Sequence, residues 1–307
     1  MAARFGSGGN ASSPRLLLVT VSGEPGEAVP RTRTPYPTGV EYRATDSHPG
    51  SEYRRSTDRC RYGSVVARLQ ASRNQEVGLN DLPTDDSGHP LATAFKLFLQ
   101  QPAFPCVAAK AGLSRDQFTF VVARDLRSGW DDLRVYPALL AFVSRYRRNR
   151  ARFSSFIVLF EGPATLSEAK FEHHLWARLQ SLSDKDAWLG LPYDDRVESL
   201  PDDPHFSISF GGEAFFVVGL HPTASRKARR FETPAMVFNL HDQFEQLRAD
   251  GRYDVLRQRI GERDVRYSGS TNPMLAAHGE ISEARQYSGR VVEDGWVCPL
   301  RPRVVDS

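Results

Sequence analysis

The sequence predicts an α/β or α+β fold, a single domain with a mixed β-sheet covered by helices and preceded by a disordered N-terminal extension. Three observations point there. Between about residues 90 and 300, segments with apolar residues at helical spacing alternate with β-branched and aromatic runs. The run HFSISFGGEAFFVVGL is interrupted by Gly211 and Gly212, which reads as a hairpin and forces an antiparallel pair. Residues 1–89 are rich in turn and breaker residues and poor in large apolar ones, so they bury too little surface to offset their ordering entropy. Residues 90–300 are then one domain of ordinary size, and residues 301–307 a tail.

Within the extension, RLLLVTVSG suits a short strand and YGSVVARLQASR a short helix. PLATAFKLFLQ opens the domain as a helix with Pro90 in its first turn. FPCVAAK and QFTFVVAR read as strands. DDLRVYPALLAFVSRYRRNR is an amphipathic helix, acidic at its start and basic at its end as the helix dipole favours, with Pro137 inside it. FSSFIVLFEG is nearly unbroken in its apolar character and should be a central strand buried on both faces. TLSEAKFEHHLWARLQSLSD starts with a Ser or Thr cap ahead of Glu168 and continues as a helix. After the hairpin, PAMVFNL is a strand, and HDQFEQLRADG and YDVLRQRIGERDVR are helices.

Composition excludes several functions. The 307 residues carry 40 Lys+Arg against 37 Asp+Glu, a net charge of +3 that implies no polyanionic partner. Of the basic residues 35 are Arg and five are Lys, but no Arg run is interleaved with aromatics, so nucleic acid is not expected as a partner. No apolar stretch approaches the roughly 18 residues that span a bilayer, so no membrane association and a cytoplasmic location are expected. Cys60, Cys106 and Cys298 show no CxxC spacing and read as free thiols. There is no GxGxxG after a strand, no Walker loop, no GxSxG elbow and no HExxH.

Four groups of residues could carry chemistry. His221 ends an apolar run and is followed by Ser225, Arg226, Arg229 and Arg230, whose spacing lets the arginines share a face and hold a dianionic group. From those residues alone, a core histidine bonded to a backbone carbonyl beside an ordinary solvated basic helix is the favoured reading. In VFNLHDQFEQLR, His241 and Glu245 lie one helical turn apart, as a ligand and its orienting carboxylate would, or as limbs of a non-haem iron site completed by His221. Cys106 and Cys298 each adjoin a proline, and a thiolate can bind haem iron, although a free cysteine is more often a small buried hydrophobe. The segment YSGSTNPMLAAHGEISEARQYSGR has little periodicity yet carries Glu280, Glu283, Arg285, Gln286 and Tyr287.

FPCVAAK, FSISFGGEAFFVVGLHPTASRKARRF, VFNLHDQFEQLR, GSTNPMLAAHGEISEARQYSGR and WVCPL, in this order, resemble the YqcI/YcgG family over about residues 90–300. The resemblance implies a haem-dependent monooxygenase (N-hydroxylase), similar to those that hydroxylate guanidino nitrogens of arginine and of the guanitoxin precursor in natural-product pathways. It implies haem b as cofactor, dioxygen as co-substrate, an external reductant, a separate electron-donor protein and a small guanidine-containing substrate. Given a haem, local chemistry rather than the resemblance makes His221 the expected axial ligand, because it couples a strand end to the adjacent Arg cluster; His241 and Cys106 are the alternatives, and Ser225, Arg226, Arg229 and Arg230 complete the cofactor site. Glu245 and Glu283, with Glu161 behind them, are the expected anchors for the guanidinium. Gln243, Tyr287 and Asn272 are expected hydrogen-bond donors to oxygen. A haem-binding sensor or carrier without turnover, and a non-haem iron oxygenase, remain the alternatives.

Overall fold

The structure, a computed structural model, describes residues 85–274 and 279–301. The short strand and helix expected in the extension, and all of the tail but Arg301, lie outside the described residues.

A mixed sheet with strand order β1-β2-β5-β4-β3 organises the fold. Strands β1 (Phe118–Asp125) and β2 (Ser155–Gly162) are parallel, and the chain passes between them through helix α3 (Asp132–Arg148). Strand β5 (Ala235–Leu240) runs antiparallel to β2, β4 (Glu213–Leu220) antiparallel to β5, and β3 (Ile208–Phe210) antiparallel to β4. The expected mixed sheet under helices is therefore present. The interior strand β2, second in the sheet, is buried from Ser155 to Phe160, which is why FIVLF carries no polar alternation. The β3–β4 turn places Gly211 at φ 60° and Gly212 at φ 77°, the left-handed pair that only glycine adopts without strain.

Because successive strand residues point to opposite faces, each strand splits into two sets. Val121, Ala123, Phe156, Val158, Phe215, Val217 and Phe238 face α3 and α4 (Glu168–Trp188), forming the larger core. Phe118, Phe120, Ile157, Leu159, Leu220 and Ala235 face the other way, onto Phe95, Phe98 and Leu99 of α1 (Pro90–Gln100). Ser167 caps α4, its hydroxyl accepting from the Lys170 amide at 3.3 Å. Ahead of α1, the Asp85 and Asp86 carboxylates accept the Phe120 and Val122 amides at 3.2 and 2.7 Å. They occupy the open edge of β1 that would otherwise expose its donors.

One element differs in type from its sequence expectation. FPCVAAK is not a strand: Cys106 is the N-cap of helix α2 (Val107–Ser114), its Sγ accepting from the Ala109 amide at 3.4 Å. Two alanines and a lysine after a single β-branched Val107 favour the helix, and Pro105 lies just outside it. Helices α5 (His241–Ala249) and α6 (Tyr253–Ser268) follow β5, and α7 (Ala284–Tyr287) is a single turn near the end. The basic segment after β4 contains only a 3-10 turn, Lys227–Arg229. Among the described residues no helix is long and apolar enough to cross a membrane.

Candidate functional site

On the α1 side, part of the sheet is left uncovered by core side chains and becomes the floor of a cavity of about 420 Å³. That volume lies in the roughly 300–1,000 Å³ range of small-molecule sites. Strand register builds the floor: Ser155 is opposite Asn239 and Asn239 opposite Phe216, while Ile157, Val237 and Val218 form the next row. The Ser155 hydroxyl bonds Asn239 Oδ1 at 2.8 Å and Asn239 Nδ2 donates to the Phe216 carbonyl at 3.3 Å, so the polar floor groups pair with one another. Residues of α2, α5, α6 and the segment 279–286 form the walls. These walls are largely apolar, with Phe104, Phe153, Phe244, Leu256 and Ile260 among them.

The expected axial ligand does not reach this cavity. His221 continues the odd-numbered set of β4, Phe215, Val217 and Gly219, and so projects toward α4 rather than toward the floor. Its ring stacks on Phe171 of α4 with centroids 4.2 Å apart, Nδ1 contacts Thr223 Oγ1 at 3.0 Å, and the residue is 1% exposed. Burial pushes its pKa down to about 4, which keeps the ring neutral. His221 is a core histidine, and its assignment to iron is corrected. The non-haem alternative that paired it with His241 fails for the same reason, since His241 lines the cavity across the sheet. Among the described residues no group of three or more His, Cys, Asp or Glu is placed to hold a metal ion.

The basic cluster divides. Arg230 bonds the Ala224 and Ser225 carbonyls, and the Ser225 amide donates to Glu168, so both residues fasten their own loop away from the cavity. Arg226 lines the cavity but is paired with Asp264 of α6 and donates to the Ser270 carbonyl at 2.9 Å. Arg229 also lines it, and its guanidinium donates to the carbonyls of Gly219, Tyr287 and Gln286 at 3.1, 3.0 and 2.9 Å. Burial lowers its pKa to about 10, so it remains a cation.

Two candidate donors do face the cavity. Cys106 enters at the start of α2, and burial raises its pKa above the ordinary thiol range. The loop that delivers it is fixed by Arg263 of α6, which donates to the carbonyls of Pro102, Phe104 and Pro105. His241 opens α5, but both of its ring nitrogens are engaged: Nδ1 lies 3.2 Å from Ser207 Oγ and Nε2 lies 3.1 Å from Glu245 Oε1. Among the described residues the Cys106 sulfur meets only backbone amides, those of Ala108 and Ala109, and no side-chain partner, which makes it the more open electron-pair donor of the two.

The expected acid residues also separate. Glu283 lines the cavity, bonded to Ser207 Oγ and, at 2.7 Å, to the Tyr287 hydroxyl. Burial pushes its carboxyl up to about 7, against the opposing pull of those hydrogen bonds and of Arg248. Tyr287 is fully buried behind it and reaches the Phe215 carbonyl at 2.9 Å. Gln243 and Asn272 line the cavity, with Gln243 Nε2 held by the Ser154 carbonyl at 2.6 Å. Glu245 is half-exposed and bonded to Arg248, while Glu161 lies exposed at the end of β2. Sequence reasoning missed Ser207, Arg248, Arg263 and Asp264. The only available signal for Ser207 was its alternation with Phe206 and Ile208, which ordinarily marks a solvent-facing residue, yet Ser207 is fully buried.

The model of the YqcI/YcgG family matches residues 95–301. The uncharacterized protein YcgG of Bacillus subtilis (strain 168) is 25% identical over 199 residues, covering 60% of this chain and 75% of that protein. The uncharacterized protein YqcI of the same organism is 28% identical over 149 residues, 47% of this chain and 57% of that protein. No solved structure matches the chain.

Proposed function

The chain belongs to the YqcI/YcgG family, and from that premise we propose that it is a haem-dependent N-oxygenase. It hydroxylates a guanidino or amine nitrogen of arginine or a related small molecule in natural-product biosynthesis. Dioxygen is the co-substrate, and electrons come from an external reductant or a separate donor protein.

The observation that carries this reading is the open thiol of Cys106 on the wall of an apolar cavity bordered by arginines. An iron porphyrin requires an electron-pair donor, apolar walls against its ring and cations for its carboxylates. Cys106 supplies the donor and Arg229, whose hydrogen bonds go to carbonyls, supplies a cation with charge to offer. These side chains are of the kinds such a group requires, and that chemistry is what supports the reading. When bound, iron porphyrin supplies reductive activation of dioxygen, and a thiolate donor favours oxygen–oxygen cleavage.

The remaining work falls to the protein. A guanidinium is protonated near neutral pH and its nitrogens are poor nucleophiles, so the site must hold a cation and accept a proton from it. Glu283 does both: it faces the cavity, and a carboxyl titrating at about 7 exists in both forms at neutral pH. Tyr287 and Ser207 fix its position. The apolar walls keep water from competing for the reacting nitrogen.

The test uses the full chain reconstituted with haem and supplied with a chemical reductant, dioxygen labelled with heavy oxygen, and arginine or simpler guanidines. A product carrying one labelled oxygen on nitrogen is expected, and Glu283→Gln should lower its rate by about 10²-fold or more. Haem binding without any product from the wild-type chain would leave the carrier or sensor reading in its place.

A further inference from the structure

Ser207 Oγ lies between two titratable side chains that its position in the sequence gives no reason to connect. It bonds Glu283 Oε1 and lies 3.2 Å from His241 Nδ1. The far nitrogen of His241 is 3.1 Å from Glu245 Oε1, and Glu245 is 44% exposed. The geometry points to a proton path in which Glu245, His241, Ser207 and Glu283 pass protons between the protein surface and the cavity, with the Ser207 hydroxyl as the relay. This deepens the proposed function, on which its catalytic purpose rests.

Ser207 has one hydroxyl proton and two neighbours able to accept it. Glu245 as a carboxylate requires a proton on His241 Nε2. Two bonding patterns are compatible with these contacts. In the first, protonated Glu283 donates to Ser207 Oγ, Ser207 donates to Nδ1 of a neutral His241, and Tyr287 donates to the Phe215 carbonyl. In the second, His241 is an imidazolium donating through Nδ1 to Ser207, and Ser207 and Tyr287 both donate to the Glu283 carboxylate. The two differ by the transfer of one proton through the Ser207 hydroxyl, whose O–H bond breaks on one side as a new one forms on the other. The proton total is unchanged. A purely structural serine would need only one of these patterns.

The surroundings support interconversion. Arg248 of α5 pairs with Glu245 and favours the ionised form of Glu283. Tyr287 of α7 donates from the opposite side, and the Tyr193 hydroxyl binds the Ser207 carbonyl at 2.7 Å, holding the relay residue in place. Asp242, adjacent to His241, is turned away into Tyr146, Arg150 and Arg196. Burial brings Glu283 up to about 7, so its acid and carboxylate forms are both populated near neutral pH.

Nitrogen-15 NMR of the haem-free full chain labelled at histidine tests the path without reference to oxygenation. In the wild type His241 should titrate in two steps, because it shares a proton with Glu283; Glu283→Gln and Ser207→Ala should each reduce this to one. A single step in the wild type, unchanged by Glu283→Gln, overturns the proposal even if Ser207→Ala fails to fold. With haem and substrate, Ser207→Ala should lower the hydroxylation rate about tenfold with KM and the haem spectrum unchanged, and should enlarge the solvent deuterium isotope effect. Ser207→Thr should restore the rate, and an unaltered rate and isotope effect in Ser207→Ala contradict the relay. Absence of product from the wild type refutes the oxygenase reading alone, and the NMR titration still decides the path.

Discussion

Replacing Glu283 by Gln measures the cost of keeping an acid in the cavity wall. Burial raises its carboxyl from 4.5 to about 7. The raised value means that the folded state prefers the neutral form, so the associated stability is fully present below about pH 4.5 and is lost as pH rises through 7. A difference of about 2.5 units at about 1.4 kcal/mol per unit gives about 3 kcal/mol by pH 8. Gln can accept the Ser207 and Tyr287 bonds but has no proton to lose. Urea unfolding at a series of pH values should show the variant and the wild type nearly equal in stability at about pH 4.5. By about pH 8 the variant should be the more stable by about 3 kcal/mol. Curves that remain parallel over this range would refute the buried-acid reasoning.

Gly219 faces α4, where an added Cβ would meet Leu175 Cδ1 at 2.6 Å and Phe171 Cε1 at 2.7 Å. Gly219→Ala should therefore cost about 1–3 kcal/mol, seen as a lowered Tm, and an unchanged Tm would contradict the packing of that face. His221, with its ring held at about 4, contributes stability above about pH 6.5 that is lost as pH falls toward 4, and His221→Ala should flatten this part of the acid-unfolding profile. Arg263→Ala frees three carbonyls of the loop that carries Cys106 and should weaken haem affinity by about 10- to 100-fold in a spectroscopic titration, with little change in the far-ultraviolet dichroism.

Element types were largely legible because they depend on local periodicity. The hairpin glycines, the apolar β2 run and the Ser167 cap each act within a few residues, and each has its expected role. FPCVAAK misleads because its single Val and aromatic neighbours resemble a strand, while the capping thiol that starts the helix is an uncommon signal. The site was less legible. His221 looked suited to a ligand because it ends a strand, but strand parity, counted from Phe216 and Val218 on the cavity floor, already turns it to the opposite face. In sequence the arginines form one cluster, but a loop without helical geometry aims each of them differently. Ser207 and Glu283 are 76 positions apart in sequence, and only the closure of α7 against β4 makes them neighbours.

The proposal that Cys106 ligates haem iron is tested most directly by the ferrous-carbonyl spectrum of the haem-reconstituted chain alongside its Cys106→Ser, His241→Ala and His221→Ala variants. Ligation by Cys106 should give the red-shifted band of a thiolate complex in the wild type, lost in Cys106→Ser and retained in His221→Ala. An imidazole-type band that survives Cys106→Ser, or no haem band in the wild type, would contradict it.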